Sequence, residues 1–172
     1  GFSRIQEADV LAVPDPDTFE LIPWSEPGAA EARVFCDIQS LDGTPFQGDP
    51  RQVLRRHVQS AHDQGLTFYI APDIEFFYFE QPQPGERPRP LDRGGYFDLT
   101  TRDAAGDLRK ETIRKLEQMS IPVEYSFHED APSQHEIDLR YSDALSMADN
   151  VMTFRLVVRE IALEAGVYAT FM

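Results

Sequence analysis

Cysteine, basic residues and long apolar runs are all scarce in this sequence of 172 residues. The single cysteine, Cys36, excludes an internal disulfide and a zinc site built from several cysteines, so we expect a protein of the reducing cytoplasm. No apolar run reaches the length of a membrane span, so no membrane partner is expected. Only 16 Lys and Arg residues accompany 30 Asp and Glu residues, giving a formal net charge of −14. Because nucleic-acid phosphates attract basic surfaces, this charge argues against a nucleic-acid partner and leaves cations as candidate ligands where carboxylates converge.

The order of predicted elements indicates a mixed α/β chain with at least one antiparallel strand pair. Short strands and turn signals occupy residues 1–48, and Asp49-Pro50 then supplies the cap and first residue of a helix that runs to about Asp63. We place a domain boundary before this helix. Beyond it the pattern predicts an aromatic extended stretch at residues 67–80, a proline-rich loop at 81–90 and an amphipathic helix at 107–120. Two paired strands are predicted at 123–128 and 134–141, followed by a long helix capped by Ser142 that runs to 166 and by a last strand from 167.

The two ends of the sequence are unusual for a complete protein. Residue 1 is glycine rather than methionine, and residues 167–172 form an apolar run without a polar tail. Natural termini are usually polar, so we expect a fragment or the ordered part of a longer protein. A complete small domain with a tag remnant is the alternative.

Carboxylates recur at strand spacing directly after Pro72. Asp73 and Glu75 are two residues apart, so their side chains are predicted to point to the same side of a strand. Two carboxylates placed in this way repel each other unless a cation lies between them. A solvated polar face is the alternative explanation, because exposed carboxylates are common.

A second acidic segment, residues 124–138, carries five carboxylates and two histidines but no Lys or Arg. Pairing of its two predicted strands would bring Glu129 and Glu136 together. Glu124 lies an even number of residues from His128, so these two side chains are predicted to point to the same side of the strand. Oxygen ligands without sulfur suit Mg²⁺ or Mn²⁺, and such ions commonly bridge to phosphates. The residues alone therefore favour a phosphate-handling active site.

Several segments, in one unbroken order, resemble those of glutamine synthetases. Residues 128–137 (HEDAPSQHEI) resemble the H-E-x-x-P-x-Q-x-E segment of that family, and residues 74–77 (IEFF) resemble its E-x-E-F-F strand. The flanking segments that agree are 11–15 (LAVPD), 48–51 (GDPR), 94–98 (GGYFD), 141–145 (YSDAL) and 148–150 (ADN). The similarity therefore extends over essentially the whole chain.

The resemblance implies an α+β fold in two parts: the C-terminal part of a β-grasp domain at residues 1–48, and the first half of a twisted antiparallel-sheet α/β catalytic domain at 49–172. It implies an ATP-dependent carbon–nitrogen ligase of nitrogen metabolism that phosphorylates glutamate and amidates it with ammonia. Mg²⁺ or Mn²⁺ would be the cofactor, ATP a substrate, and the full-length protein a homo-oligomer. A γ-glutamyl-amine ligase acting on a polyamine or monoamine, or a non-catalytic structural homologue, are the alternatives. Other active-site segments of the family fall outside this span, so we expect the span alone to be inactive.

The resemblance also implies roles for individual carboxylates. Glu75, Glu129 and Glu136 match the three carboxylates that hold one divalent ion, and Glu129 is the expected catalytic residue. Asp73 occurs where the family usually has glutamate, near a second ion. Glu124 matches a carboxylate at the nucleotide site.

Two aromatic positions bear on the amine substrate. Tyr96 matches an aromatic residue near the ammonium pocket, which Glu129 also borders. Phe127 occurs where many members have the first histidine of a His-His-Glu sequence. Relatives that use organic amines differ at such positions, so the sequence leaves open whether the amine is ammonia or an organic amine.

Overall fold

A computed structural model of the chain describes residues 9–26, 28–81, 84–100 and 103–172. Residues 1–8 of the predicted N-terminal domain and residues 82–83 of the predicted loop lie outside the described residues. The chain divides into two compact units. The first comprises residues 1–70 and 143–149, and the second comprises residues 71–142 and 150–172.

The described residues form ten strands, three α-helices and a short 3₁₀ helix at Pro16–Thr18. The strands are β1 (Leu11–Pro14), β2 (Glu20–Leu21), β3 (Ala32–Arg33), β4 (Cys36–Gln39), β5 (Tyr69–Ile70), β6 (Glu75–Glu80), β7 (Val123–His128), β8 (Gln134–Leu139), β9 (Ser142–Asp143) and β10 (Val167–Thr170). The helices are α1 (Pro50–His62), α2 (Gly106–Gln118) and α3 (Ala144–Glu164).

The first unit contains two antiparallel strand pairs, β1 with β4 and β2 with β3, and the helix α1. Asp49 caps α1, because its Oδ1 accepts a 3.0 Å hydrogen bond from the Arg51 N–H, and proline fills the first helical position. The second oxygen of Asp49 accepts a 2.9 Å bond from the Ile38 N–H. One buried aspartate thus fixes the start of the helix to strand β4.

The side chain of Arg51 forms ion pairs with three carboxylates within the first unit. Its guanidinium lies 2.6 Å from Asp37, 2.8 Å from Asp15 and 2.9 Å from Asp149. The hydrogen bonds that Arg51 donates to Asp149, Asp15 and Asp37 outweigh the opposing effect of burial and raise the pKa of Arg51. A guanidinium carries five N–H donors in a fixed planar arrangement, so it can bind several carboxylates at once with a defined geometry that a lysine ammonium does not provide.

The second unit is organised by a four-stranded antiparallel sheet in the order β10-β6-β8-β7. Its buried face packs on α2 and α3 residues, and the fully buried side chains include Phe76, Tyr78, Leu116, Ile137, Phe154 and Val157. Phe76 makes an edge contact with Phe154, with 5.9 Å between the ring centroids. The sheet therefore has one apolar face and one face available for polar groups.

The prediction of an α+β fold with antiparallel strands is confirmed by this architecture. The predicted cap of the long helix is wrong by one residue, because α3 begins at Ala144 and the Asp143 carboxylate accepts the Ser146 N–H at 3.1 Å. A carboxylate at the N-cap satisfies a free N–H of the first turn. The boundary at residues 48 and 49 stays a prediction. No helix among the residues described is long and apolar enough to cross a membrane.

Candidate active site

Strand β8 carries carboxylates on one side and core residues on the other. Glu136 and Asp138 point to the polar face, whereas His135, Ile137 and Leu139 are buried on the opposite face. The alternation follows from the two-residue period of a strand. It places the two carboxylates side by side along one strand of a sheet whose other face is anchored in the core.

The three carboxylates predicted to hold one ion share this polar face. Glu75 on β6 is the direct cross-strand partner of Glu136, and its Oε2 accepts a 2.5 Å hydrogen bond from Gln134 Nε2. Glu129 follows the last residue of β7, and its Oε2 accepts a 2.8 Å bond from the Asp130 N–H. The Glu129 and Glu136 side chains are close enough to interact. Like charges directly across a strand pair are destabilising, so this face accumulates unfavourable charge.

A tighter group of carboxylates lies beside that set. Asp73, Glu136 and Asp138 each offer an oxygen within 4.8 Å of the others. Asp138 Oδ1 is buried and has no hydrogen-bond partner among the described residues. A buried carboxylate oxygen without a donor is costly, and a divalent cation would satisfy it. The residues therefore fit a hard dication such as Mg²⁺ or Mn²⁺, which prefers oxygen ligands.

The charges of this face alter the acidity of its carboxyl groups. Burial, followed by the neighbouring Asp138 and Glu129, raises the pKa of Glu136 to about 8. Burial is also the largest influence on Asp138, and together with Asp73 and Glu124 it raises the pKa of that group. The hydrogen bond between Glu136 and Asp138 raises the pKa of Glu136 and opposes the rise in the pKa of Asp138. The proton that the two carboxyl groups share therefore lies on Glu136. Without a cation, this face holds a proton in its place.

The Glu124 side chain does not point to the side of β7 that its spacing from His128 predicts. Glu124 has the parity of His128, which lies on the buried face, but the register of β7 shifts between Val123 and Tyr125. Such a bulge re-aims the residue at the irregularity. Glu124 is exposed and near enough to Asp138 to influence its pKa, so it belongs with the acidic group.

Three aromatic side chains form a patch at the edge of the acidic face. The rings of Phe97 and Phe127 are stacked with centroids 4.7 Å apart, and Tyr96 meets both at steep angles, at 4.4 Å from Phe97 and 5.9 Å from Phe127. Tyr96 is 58% exposed. Phe127 is the cross-strand partner of Glu136, so the patch adjoins the carboxylates. We call Tyr96, Phe97 and Phe127 the aromatic patch.

Beneath the sheet, Asp92 ties a loop to the turn between β7 and β8. Its Oδ1 lies 3.0 Å from His128 Nε2 and accepts the Ser133 N–H at 2.9 Å, while its own N–H donates to Ser133 Oγ at 2.8 Å. Burial opposes ionisation, but these bonds prevail and lower the pKa of Asp92. His128 Nδ1 lies 2.6 Å from the Glu129 carbonyl, so the network reaches the backbone of a predicted ligand.

Asp92, Asp103, His128 and His135 also lie near one another, as ligands of a buried metal ion would. Arg109 already supplies a cation there, because it donates to both oxygens of Asp103 and lies 2.8 Å from His135 Nδ1. Burial, followed by Arg109 and His128, lowers the pKa of His135 to about 3, so the ring is neutral. This network is best explained as the support of the sheet.

Asp138 belongs to the acidic segment 124–138 but has no role among the predicted site residues, and Asp92 is absent from them. For Asp138 the signal was available, since it lies two residues beyond Glu136 and shares its face. For Asp92 there was none, because its partner Ser133 is 41 residues away. The described contacts of Tyr96 are with aromatic rings, and its predicted position at an ammonium pocket stays a prediction.

A profile of the family described as "Glutamine synthetase, catalytic domain" matches residues 47–172. The chain belongs to the glutamine synthetase family. It is 54% identical to a glutamine synthetase of Mycolicibacterium smegmatis and 51% identical to one of Mycobacterium tuberculosis, each over 100% of the chain and 39% of the relative. The chain thus spans about two fifths of the length of the curated relatives it matches.

Two solved structures share the fold of this chain. A Plasmodium falciparum glutamine synthetase aligns with a TM-score of 0.86 at 22% identity, over 99% of this chain and 39% of that one. A complex of GmaS with ADP aligns with a TM-score of 0.85 at 27% identity, over the same shares of the two chains. The first likeness shows the fold alone, and the second adds a relative with a bound nucleotide.

Proposed function

We propose that the protein to which this chain belongs is an ATP-dependent ligase that phosphorylates the γ-carboxylate of glutamate and converts it to the amide with ammonia. The observation that carries the proposal is the acidic face of β6, β7 and β8, in a chain of the glutamine synthetase family. On this face carboxylates accumulate, and none of the described Lys or Arg side chains pairs with Glu136. Such a face is suited to dications and the phosphates that they accompany.

In this proposal Glu75, Glu129 and Glu136 hold one divalent ion, and Asp73 contributes to a second. When bound, Mg²⁺ or Mn²⁺ would neutralise the charge of the nucleotide phosphates. The sheet orients these carboxylates before substrate arrives, because Glu75 and Glu136 are fixed in register and the Glu129 backbone is tied to His128. Positioning and charge neutralisation are the main contributions that a protein makes to phosphoryl transfer.

The remaining assigned residues would bind the substrates. Glu124 would border the nucleotide, and the GmaS–ADP relative supports a nucleotide site in this fold. Glu129 would act as the catalytic residue at the ammonium pocket, with Tyr96 beside it. In the overall reaction the γ-carboxylate oxygen bonds to the terminal phosphorus of ATP and ADP leaves; the ammonia nitrogen then bonds to the acyl carbon and phosphate leaves. The whole protein would act as a homo-oligomer in the cytoplasm.

A γ-glutamyl-amine ligase is the second candidate, and the aromatic patch favours it. An organic ammonium group attracted by the carboxylates would meet the stacked rings of Phe97 and Phe127 with its apolar part, and aromatic faces also attract cations. Relatives named GmaS align with this chain at 27% identity. The 54% identity to a glutamine synthetase keeps ammonia as the leading substrate.

Phosphate release by the complete protein tests the proposal. With ATP, glutamate and Mg²⁺, we expect ammonia to stimulate release, and a panel of methylamine, ethanolamine, putrescine and spermine identifies the second candidate if one of them is preferred. Glu129→Gln should abolish release, whereas Glu80→Gln, an exposed position at the other end of β6, should not. A folded protein that releases no phosphate with any nitrogen donor would contradict both candidates and favour a non-catalytic homologue.

The patch has its own test. Phe127→Ala should lower kcat/KM for the preferred organic amine more than for ammonia, because only the organic amine has an apolar part to contact the ring. An equal effect on both donors would remove the patch from substrate recognition.

A further inference from the structure

Asp92 is a buried carboxylate that has no role in the reaction proposed above. Its side chain is only 2% exposed, and burying a carboxylate is costly unless hydrogen bonds satisfy it. Its Oδ1 accepts the N–H groups of Ser133 at 2.9 Å and of Gly94 at 3.2 Å, and its Oδ2 accepts the Ala104 N–H at 3.2 Å. One side chain therefore joins its own loop, the segment before α2 and the turn between β7 and β8.

Asp92 holds the turn that carries Glu129 at both of its ends. At the first end, Asp92 Oδ1 lies 3.0 Å from His128 Nε2, and His128 Nδ1 lies 2.6 Å from the Glu129 carbonyl oxygen. At the other end, Ser133 donates its N–H to Asp92 and accepts the Asp92 N–H at Oγ. Ser133 has a φ of 60°, which is uncommon for a residue other than glycine and needs support from its surroundings. These contacts fix the backbone from which the Glu129 side chain projects.

The loop of residues 92–97 is held against the same histidine. Gly94 packs on the His128 ring so closely that an added Cβ would lie 2.5 Å from Nε2. The Phe97 N–H donates to the His128 carbonyl at 3.0 Å, and the Phe97 ring stacks on Phe127 with the centroids 4.7 Å apart. The aromatic patch and the turn that carries Glu129 therefore share one anchor.

Support of the sheet alone does not account for these contacts. Arg109 already joins α2 to β7 and β8, because it donates to Ser126 Oγ at 3.1 Å and lies 2.8 Å from His135 Nδ1. The partners of Asp92 lie at the end of β7, which is His128, and in the turn beyond it. What Asp92 adds is thus the relative position of the turn and the loop.

We propose that Asp92 is a positioning residue that sets the distance between Glu129 and the aromatic patch, and thereby the fit of the nitrogen donor. It acts through His128 and Ser133 and is too deeply buried to touch the donor itself. This inference rests on the proposed function, in which Glu129 meets the nitrogen donor with Tyr96 beside it. A misplacement of about 1 Å in a group that orients a substrate can cost about a hundredfold in rate, so such a link has a direct kinetic consequence.

Steady-state phosphate release by the complete protein, with ATP, glutamate and nitrogen donor varied in turn, tests the inference. Asp92→Ala should raise the KM for the preferred nitrogen donor by about tenfold or more and leave the KM for ATP within about twofold. Asp92→Asn should recover most of this loss, because its amide oxygen still accepts the Ser133 and Gly94 N–H groups. The matched control is Asp107→Asn, 94% exposed on α2, which should behave as the unmodified protein does. A purely structural role predicts fewer active molecules, and hence a lower kcat with unchanged KM values.

Backbone hydrogen exchange of the complete protein without substrates gives a second readout that needs no turnover. In Asp92→Ala, exchange should rise together in residues 94–97 and 129–134 and stay unchanged in α3. An equal rise in α3 would indicate a general loss of stability and would overturn the inference. Should Asp92→Ala fail to fold, Ser133→Ala takes its place, because it removes only the hydroxyl to which the Asp92 N–H donates, and a smaller joint rise is expected.

The outcomes separate this inference from the proposed function. An unchanged KM for the nitrogen donor in folded Asp92→Ala overturns the inference and leaves the ligase proposal intact. An unmodified protein that releases no phosphate with any nitrogen donor overturns the ligase proposal, and hydrogen exchange then decides the positioning role. A joint rise in the two segments supports that role, and unchanged exchange in either segment overturns it.

Discussion

Cation binding to the acidic face should release a proton, and Glu136 is its source. In the metal-free protein, burial and the neighbouring Asp138 and Glu129 raise the pKa of Glu136 from an ordinary 4.5 to about 8. A metal ligand must be deprotonated, so the proton on Glu136 competes with the ion. The perturbation is therefore a change of pH, with Glu136→Gln as the variant that removes the titrating group.

The size of the effect follows from the position of this pKa. With a pKa of about 8, Glu136 carries about 0.97 of a proton at pH 6.5 and about 0.24 at pH 8.5. The deprotonated fraction, and with it the apparent Mg²⁺ affinity, rises about 25-fold across that interval. A carboxylate with an ordinary pKa would be ionised throughout, and the affinity would not change.

Calorimetric titration with Mg²⁺ in pairs of buffers that differ in ionisation enthalpy measures the released protons directly. We expect nearly one proton per bound ion at pH 6.5 and about a quarter of one at pH 8.5. Glu136→Gln should bind weakly and release no proton from this position, and Glu80→Gln should match the unmodified protein. The reasoning is refuted if binding releases no proton at pH 6.5 and the affinity is the same at both pH values.

The same linkage predicts how the stability of the metal-free protein depends on pH. The folded pKa of Glu136 lies above the unfolded one, so the folded state binds the extra proton. The stabilisation is fully present below about pH 4.5 and is lost as pH rises towards 8. The urea concentration at the unfolding midpoint of the metal-free protein should therefore decrease as the pH is raised from 6 to 8.5. Glu136→Gln should make this decrease smaller.

Two further predictions concern the framework of each unit. Arg51→Met should lower the free energy of unfolding by about 3–5 kcal/mol, since it removes the poorly exposed cation that Asp15, Asp37 and Asp149 share. Arg55 also pairs with Asp15 and Asp37, but it is 41% exposed whereas Arg51 is only 10% exposed, so Arg55→Met should cost less than about 1 kcal/mol. Equal urea midpoints for the two variants would contradict this. Gly94→Ala should cost about 1–3 kcal/mol, because the added Cβ would lie 2.5 Å from His128 Nε2, while Gly95→Ala, with open space, should stay within about 0.5 kcal/mol. Matching thermal midpoints for these two alanine variants would show that the loop yields easily.

Local signals predicted much of the fold. The helix α1 begins where Asp49-Pro50 indicates, because a capping carboxylate and a proline at the first helical position act within a few residues. Strands β7 and β8 pair as expected, since the turn between them is short. Glu124 departs from the expectation because the bulge in β7 changes its direction, and a strand pattern alone does not reveal a bulge.

The polar face and the buried face of β8 depend on each other, which explains why the carboxylates were predictable from the sequence and their support by Asp92 was not. Period-two alternation places the carboxylates together, but like charges on one face favour separation of the strands. That tendency is opposed from below, where Asp92 holds His128 and the turn at Ser133 against the sheet. The contact joins residues 36 positions apart, so no short-range pattern could indicate it. The converging carboxylates therefore lie on a sheet whose other face is supported by Asp92, a buried aspartate from a distant loop.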